Sequence, residues 1–551
     1  MRENQLIAAI RNTLEANSTI DALSDFKGAT FTYGEVARQI ARIHLLYDAA
    51  SVKGGDKVAL CAKNSADWAI TFLATLTYGA VPVPLLHDFH PDQIEHLVTH
   101  SEARLLFTEQ QIADNLDHDR MPDLKGIILL DSHKAELARD PKLEKAAASL
   151  DALMQKEYGD KAPGVKHLKF THRRADELAL INYTSGSSGN PKGVMLSYGN
   201  LWSNIEFALG NIPFFTPGDS MLSMLPLAHM YGLVFELLFP FCRGCHITFL
   251  GRVPSPKVLL QAFAQTRPQL VITVPLVIEK IVKGRVMPRL RKPMVRLMLA
   301  IAPLRRRIYA KVRKQLIDAL GGNLRQLILG GAPVADDVEK LLRDIRFPFT
   351  VGYGMTECAP LVTYEWWQTQ RPHSVGRLVD GMQARIKSDD PATKPGVLLV
   401  KGANVMQGYF KNPQATAEAL THDGWLVTGD ICTRDADGYI YIHGRDKNMI
   451  LGPSGQNIYP EEIEAKLNNL PLVSESIVVD RDGKIVALVH PNYEQGRIQG
   501  LTDAQTEARV REQLPVLNKM LPAYSRVSAI DIHTDEFAKT PKQSIRRFLY
   551  H

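Results

Sequence analysis

Tyr183–Gly193 reads YTSGSSGNPKG and follows the apolar run ELALIN at 177–182. The run reads as a buried strand. Gly186, Gly189 and Gly193 let backbone N–H groups turn toward an anion with no Cβ in the way. Thr184, Ser185, Ser187 and Ser188 add hydroxyl donors for phosphate oxygens, and Lys192 adds a positive charge. A strand that opens into such a stretch reads as a phosphate loop. It differs from the ordinary nucleotide P-loop, which requires Gly-Lys followed directly by Ser or Thr. Here Lys192 is followed by Gly193 and Val194.

Working outward, strand and helix patterns alternate on both sides of this loop. FTYGEVARQIARIHLLY at 31–47 reads as a helix after a short strand, and DKVALCAK as a strand. SADWAITFLATLTYGAVPVPL reads as a helix stopped near Gly79, then a strand broken by Pro82 and Pro84. Short apolar strands recur in RLLFTE, GIILLD, SMLPL, HITFL, LVITVP and LRQLILGGAP. Strands separated by helices imply parallel sheets with helices on both faces, and Val/Ile/Leu runs fit sheets buried on both sides. After Gly396 shorter strands and turns take over, as in WLVTGDICTRDADGYIYIHGR. Past Lys447 the pattern becomes α+β, with NIYPEEIEAKLNNL as a helix, SESIVVD and KIVALVH as paired strands, and a helix around 503–519. The expected fold class is therefore α/β. It has a large N-terminal domain (1–445) of parallel and mixed sheets flanked by helices, plus a β-rich subdomain. A small α+β C-terminal domain (446–551) follows.

A chain of 551 residues exceeds one ordinary core. Its 45% hydrophobic and 23% charged content fits a globular protein. The opening MRENQLIAAIRNTLEANSTIDAL lacks the pattern of a secretory signal. No apolar run approaches the roughly 20 residues of a spanning helix. Five cysteines form an odd, sparse set suited to a reducing cytoplasm. Cys242 and Cys245 stand without a second pair at metal-site spacing and read as small buried side chains. The net charge of +6 is unevenly spread, since residues 280–317 carry 13 Lys or Arg and no Asp or Glu. Apolar residues lie between these charges. Such a basic amphipathic segment can lie on anionic lipid, and residues 280–314 are expected to touch the inner face of the membrane. A solvated helical face is the alternative. Nucleic acid is not expected as a partner, because no recognisable nucleic-acid module accompanies the run.

With TSGSSGNPKG as it stands, the chain resembles the acyl-adenylate-forming enzymes, closest to bacterial long-chain fatty-acid–CoA ligases. The resemblance runs from about Phe31 to Arg547. It implies that Thr184, Ser185, Gly186, Ser187, Ser188, Gly189 and Lys192 cradle the β- and γ-phosphates of ATP. In LPLAHMYGL, His229 would sit beside the acyl carboxylate. In LILGGAPV, Gly331, Ala332 and Pro333, preceded by Gly330, would form a flat wall against adenine. In VGYGMTE, Tyr353 and Gly354 would lie against adenine and Thr356 would bond the α-phosphate. Glu357, with Thr184, would hold Mg²⁺, which takes oxygen ligands and keeps several waters. Asp430, closing GWLVTGD, and Arg445 would contact ribose, and Lys447 would be the hinge. The Gly455 segment resembles the loop lining a pantetheine tunnel.

One departure stands out near the C-terminus. The family's KTPxGKIxR aligns with Lys539-Thr540-Pro541-Lys542-Gln543-Ser544-Ile545-Arg546-Arg547, so Ser544 takes the place of the expected lysine. A neutral hydroxyl cannot replace a cation that offsets developing negative charge. Lys542 reaching in from two residues away, Arg546 substituting, and weak adenylation are the three readings. Lys542 is favoured, because alternate residues of an extended segment face one side.

The resemblance implies ATP, Mg²⁺ and CoA as cofactors and co-substrates and a medium- or long-chain fatty acid as substrate, in fatty acid metabolism. The alternative acceptor is an acyl carrier protein, supplied as a separate chain. A catalytically weakened nucleotide- or acyl-binding protein is the rival reading.

Overall fold

The computed structural model describes residues 4–159, 165–184, 191–252, 255–451, 456–481, 483–539 and 545–550. Two sheets organise the large domain. The first has seven strands in the spatial order Phe349–Val351, Gln326–Leu329, Leu270–Thr273, Ser220–Ser223, His246–Phe249, Asp21–Asp25 and Thr30–Thr32. All neighbours run parallel except the last pair. The second has five strands in the order Val81–Leu85, Lys57–Cys61, Ala103–Thr108, Gly126–Leu129 and Ala135–Ala138, again parallel up to an antiparallel final pair. Helices between the strands cover both, as the Val/Ile/Leu runs require.

Local signals explain the helix ends. Tyr33–Ala49 starts on a capping box in which the Thr32 hydroxyl accepts from the Glu35 amide and Glu35 returns a bond to the Thr32 amide. Ala66–Tyr78 is capped by Ser65 and stops at Gly79, whose φ of +92° suits glycine. That helix is buried along nearly its whole length, so it packs on all sides rather than along one stripe.

The chain through VPVPL is one continuous strand, Val81–Leu85, contrary to a break at Pro82 and Pro84. It lies at the sheet edge, where a missing N–H costs no ladder bond. The helix expected around 503–519 is two helices, Asp503–Arg511 and Leu514–Lys519, with Pro515 in the first turn of the second.

A three-stranded antiparallel sheet of Gly408–Tyr409, Lys192–Ser197 and Leu178–Thr184 flanks the Gly/Ser-rich stretch on both sides. The β-rich part comprises Gln383–Lys387, Gly396–Lys401, Leu426–Arg434 and Ile440–Arg445 in one antiparallel sheet. Past it, Val473–Arg481, Lys484–Pro491 and Ala529–Ile532 form a further sheet with a separate core that includes Ile463, Leu467, Val478, Val489 and Leu517.

Candidate active site

The stretch read as a phosphate loop lies between the two strands of a β-hairpin. Leu178–Thr184 runs antiparallel to Lys192–Ser197, and Thr184 stands directly opposite Lys192. The Thr184 hydroxyl donates to the Lys192 carbonyl at 3.5 Å. Ser185, Gly186, Ser187, Ser188 and Gly189 lie outside the described residues. The two-residue strand Gly408–Tyr409 pairs with Met195 and Val194 on the open edge of the hairpin. That pairing brings in a residue the motifs did not show. The Lys192 ammonium sits 5.0 Å from the centre of the Tyr409 ring, and the Tyr409 hydroxyl donates to Glu357 Oε1 at 2.9 Å. Tyr409 thus ties the loop's cation to the carboxylate expected at the metal. Burial first, and then the Glu357 charge, push its phenol well above the ordinary range, so it stays a donor. A GYF triplet in a polar stretch was the available signal. Its weight appears only with the strand pairing.

Glu357 lies in the short 3₁₀ turn Thr356–Cys358, with Thr356 buried. The Glu357 carbonyl accepts from the Met406 amide at 2.8 Å, which fixes the backbone on the Tyr409 side. Among the described residues no group of three or more His, Cys, Asp or Glu could hold a metal. A single carboxylate with one oxygen held by a phenol suits Mg²⁺ shared with phosphates and water, and does not suit a protein cage.

Asp430 and Arg445 face each other across the strands Leu426–Arg434 and Ile440–Arg445. Arg445 Nε meets Asp430 Oδ1 at 2.8 Å, and the Tyr353 hydroxyl donates to Asp430 Oδ2 at 2.5 Å. Burial raises the Asp430 carboxyl, while Arg445 and Tyr353 pull it partly back. Next to Tyr353, Gly354 packs so tightly that a Cβ would stand 2.2 Å from the Pro360 carbonyl oxygen. Gly331 has φ +83°, so its need for glycine is conformational. Gly331, Ala332 and Pro333 are exposed at the end of the strand Gln326–Leu329, as an open wall requires.

His229 is half-buried at the start of the turn Met230–Gly232. Three side chains clamp the loop leading to it, Asn182 and Glu236 fully buried and Asn64 half-buried. Asn64 Nδ2 donates to the Leu225 carbonyl at 2.6 Å, and Asn64 Oδ1 accepts from the Leu227 amide at 2.9 Å. Asn182, two residues before Thr184, donates to the Ala228 carbonyl at 2.8 Å. Glu236, on the π-helical turn Leu233–Leu238, accepts through Oε2 from the Ser223 hydroxyl and from the amides of Met224 and Leu225. Glu236 is fully buried, and burial lifts its carboxyl to about 8. None of these three was singled out from sequence, since isolated Asn and Glu residues carry no local pattern. Beside the loop lies an apolar cavity of about 90 Å³. Phe207, Ile212, Tyr231, Phe235 and Tyr364 line it, together with Gly330, Gly331, Tyr353 and Gly354. By volume it has room for roughly six to nine water-sized groups.

Lys447 falls in the 3₁₀ turn Asp446–Asn448 that follows the strand Ile440–Arg445. Around it, Asn448 donates to Glu461 Oε1 at 2.6 Å and His443 Nδ1 lies 2.7 Å from Glu462 Oε1. Lys542, Ser544 and Gly455 lie outside the described residues.

The structure therefore brings Thr184, Lys192, Tyr409 and Glu357 into one linked group, and Tyr353, Asp430 and Arg445 into a second. The sequence profile of AMP-binding enzymes matches residues 10–410, and that of the AMP-binding enzyme C-terminal domain matches 447–550. The chain belongs to the AMP-binding enzyme family. Among relatives of this family member, a long-chain-fatty-acid–CoA ligase of Mycobacterium bovis is 30% identical, covering 81% of this chain and 75% of its own. A feruloyl-CoA synthase of an Amycolatopsis species is 31% identical over 82% of this chain and 81% of its own. The ATP-bound structure of MatB from Rhodopseudomonas palustris superposes with a TM-score of 0.78 at 24% identity, over 100% of this chain and 98% of that one, which shows the AMP-binding enzyme fold.

Proposed function

We propose that this chain is an AMP-forming acid–thiol ligase that uses ATP and Mg²⁺ to activate a medium- or long-chain fatty acid and passes the acyl group to CoA. The observation that carries the reading is the apolar cavity that shares Gly331, Tyr353 and Gly354 with the nucleotide wall. An apolar tail in that cavity presents its carboxylate toward a nucleotide held by Asp430 and Arg445. The names of the ligase relatives support the acid and the thiol.

In the first step a carboxylate oxygen bonds to the α-phosphorus and the bond to pyrophosphate breaks in line. Lys192 and the phosphate loop meet the charge on the leaving phosphates, and Thr356 bonds the α-phosphate. Glu357, with Thr184, would hold Mg²⁺, which would supply neutralisation of phosphate charge when bound. Positioning and electrostatics do most of the work in such transfers. His229 orients the acid, and Lys542 supplies the second cation in place of Ser544. In the second step the thiol sulfur bonds to the acyl carbon, AMP leaves and the thiol proton passes to water. The small domain, counted from 446, turns about Lys447 between the steps.

The test is AMP release from ATP and Mg²⁺ with acids of graded length, with and without CoA. AMP and acyl-CoA that appear only when acid and CoA are both present are expected. Adenylate without acyl-CoA would move the acceptor to an acyl carrier protein. No adenylate with any acid would leave a nucleotide- or acyl-binding protein, with Ser544 as the cause.

No helix of the described residues is long and apolar enough to cross a membrane. Cytoplasmic residence, with peripheral contact to the membrane through residues 280–314, belongs to the same proposal.

A further inference from the structure

We infer that the helices Pro293–Ala300 and Ala302–Ala319 form an insertion face for an anionic lipid surface, with a four-residue apolar ridge entering the interface. This rests on the peripheral-contact reading above. It stands apart from catalysis, so vesicle binding and AMP release can fail separately.

The ridge is the new observation. Met294, Leu297 and Met298 follow one another at spacings of three and one, which places them on a single helical face, and Ile301, the extended residue just past the helix end, continues the exposed apolar run. They are 65%, 66%, 39% and 48% exposed, and the helix Pro293–Ala300 buries none of its residues. Val295 and Leu299, on the other side, are half-buried. The helix is thus apolar on both sides and turns one apolar side to water. Soluble proteins rarely leave such a contiguous face exposed without a partner.

The surrounding charge selects the partner. Among the described residues, only Lys283 and Lys314 of the 13 basic residues make ion pairs, to Asp337 and Asp318. The other eleven leave residues 280–317 with charge of one sign only. A second copy of this chain would meet like charge. Nucleic acid would draw on the charges and would leave the ridge in water. An anionic bilayer takes both, since headgroups meet the cations while the ridge enters the acyl boundary. Each Lys or Arg near such a surface adds roughly fivefold to partitioning.

The face is held rigidly to the cavity. Val312 and Leu316 anchor the longer helix in a core that also holds Phe263 and Leu327. Upstream, the helix Pro275–Ile281 that leads into the segment begins three residues after the cavity-lining Ile272. Glu279 Oε1 accepts from the Ala335 amide at 2.8 Å, just past Pro333 of the wall. A fatty acid dissolved in the bilayer would thus meet the protein on the segment that continues from its own pocket wall.

Co-sedimentation of the full chain with phosphatidylcholine vesicles, with and without about one third phosphatidylglycerol, tests the inference. Binding to anionic vesicles at low salt, and little to neutral ones, is expected. M294E/L297E and R305A/R306A/R307A should each reduce it at least tenfold with the melting midpoint kept. Absent binding at low salt overturns the inference. So does binding that the ridge variant leaves unchanged, since charge alone would then account for it. Trypsin cleavage between 285 and 314 in the unmodified chain gives a second readout. Anionic vesicles should slow it and a soluble polyanion should protect far less. Equal protection by the polyanion would sink the lipid assignment.

Discussion

Tyr409→Phe separates the two contacts that Tyr409 makes. The substitution removes the 2.9 Å bond to Glu357 and leaves the ring under Lys192 in place. A hydrogen bond to a charged acceptor contributes about 1.5–3 kcal/mol. Glu357 is half-exposed, so water refills the lost site without restoring its direction. The bond's free energy should therefore appear in metal use and not in folding. Pyrophosphate exchange measured across a Mg²⁺ titration should show a roughly ten- to hundredfold loss at low Mg²⁺ that narrows at saturation. Tyr409→Leu removes the ring as well and should lose a further ~0.5–2 kcal/mol, visible as weaker ATP binding. If the Phe variant tracks the unmodified enzyme at every Mg²⁺ concentration, Tyr409 does not orient Glu357 and the linked group is only packing.

Asp430→Ala should raise KM for ATP by only a few-fold and at most about tenfold, the net worth of bonds that replace resident donors. Its melting midpoint should fall, because the part-buried Tyr353 hydroxyl loses its acceptor at a cost of about 1–3 kcal/mol, while Arg445, 58% exposed, stays solvated. An unchanged KM would remove Asp430 from the nucleotide site. Gly354→Ala places a methyl 2.2 Å from a backbone oxygen that cannot step aside. A loss of about 1–3 kcal/mol in stability, read by denaturant midpoint, is expected together with loss of adenylation.

Glu236 supplies a pH signature. Its folded value of about 8 lies above the ordinary 4.5, so between these values the unfolded chain releases a proton that the folded chain keeps. Stability from this group is full below about 4.5, falls as pH rises to about 8, and is level beyond. The most it can remove is about 5 kcal/mol. Glu236→Gln abolishes that slope. Melting midpoints of the two proteins should diverge in the variant's favour from pH 5 to 8.5, and parallel curves would refute the assignment.

The elements legible in sequence were those whose signal is local. The cap at Thr32, the stop at Gly79 and the strand before Thr184 each follow from a few neighbouring residues. Lys192, Tyr353, Glu357, Asp430 and Arg445 were singled out because each sits in a motif. Tyr409 was missed because its meaning depends on a strand pairing with Val194, more than two hundred residues away. Asn64 and Asn182 were missed for the same reason, since their contacts join distant parts of the chain, and Glu236 because a lone Glu in an apolar helix carries no motif. The edge position that tolerates Pro82 and Pro84 is likewise a property of the assembled sheet. In the basic segment the charges were plain in sequence. Which apolar residues face water was not, because Val295 and Met294 differ only in the side of the helix they occupy.

Asp430 already has a protein group on each of its carboxylate oxygens. A ribose that takes those positions enters as a replacement for resident donors. Little net bonding is gained on arrival, and little is forfeited on departure, because Tyr353 and Arg445 can close behind the leaving nucleotide. On the proposed ribose role, the seat carries its own tenants. Occupancy by ATP would be held modest, and AMP would be shed without a long residence at the end of each cycle.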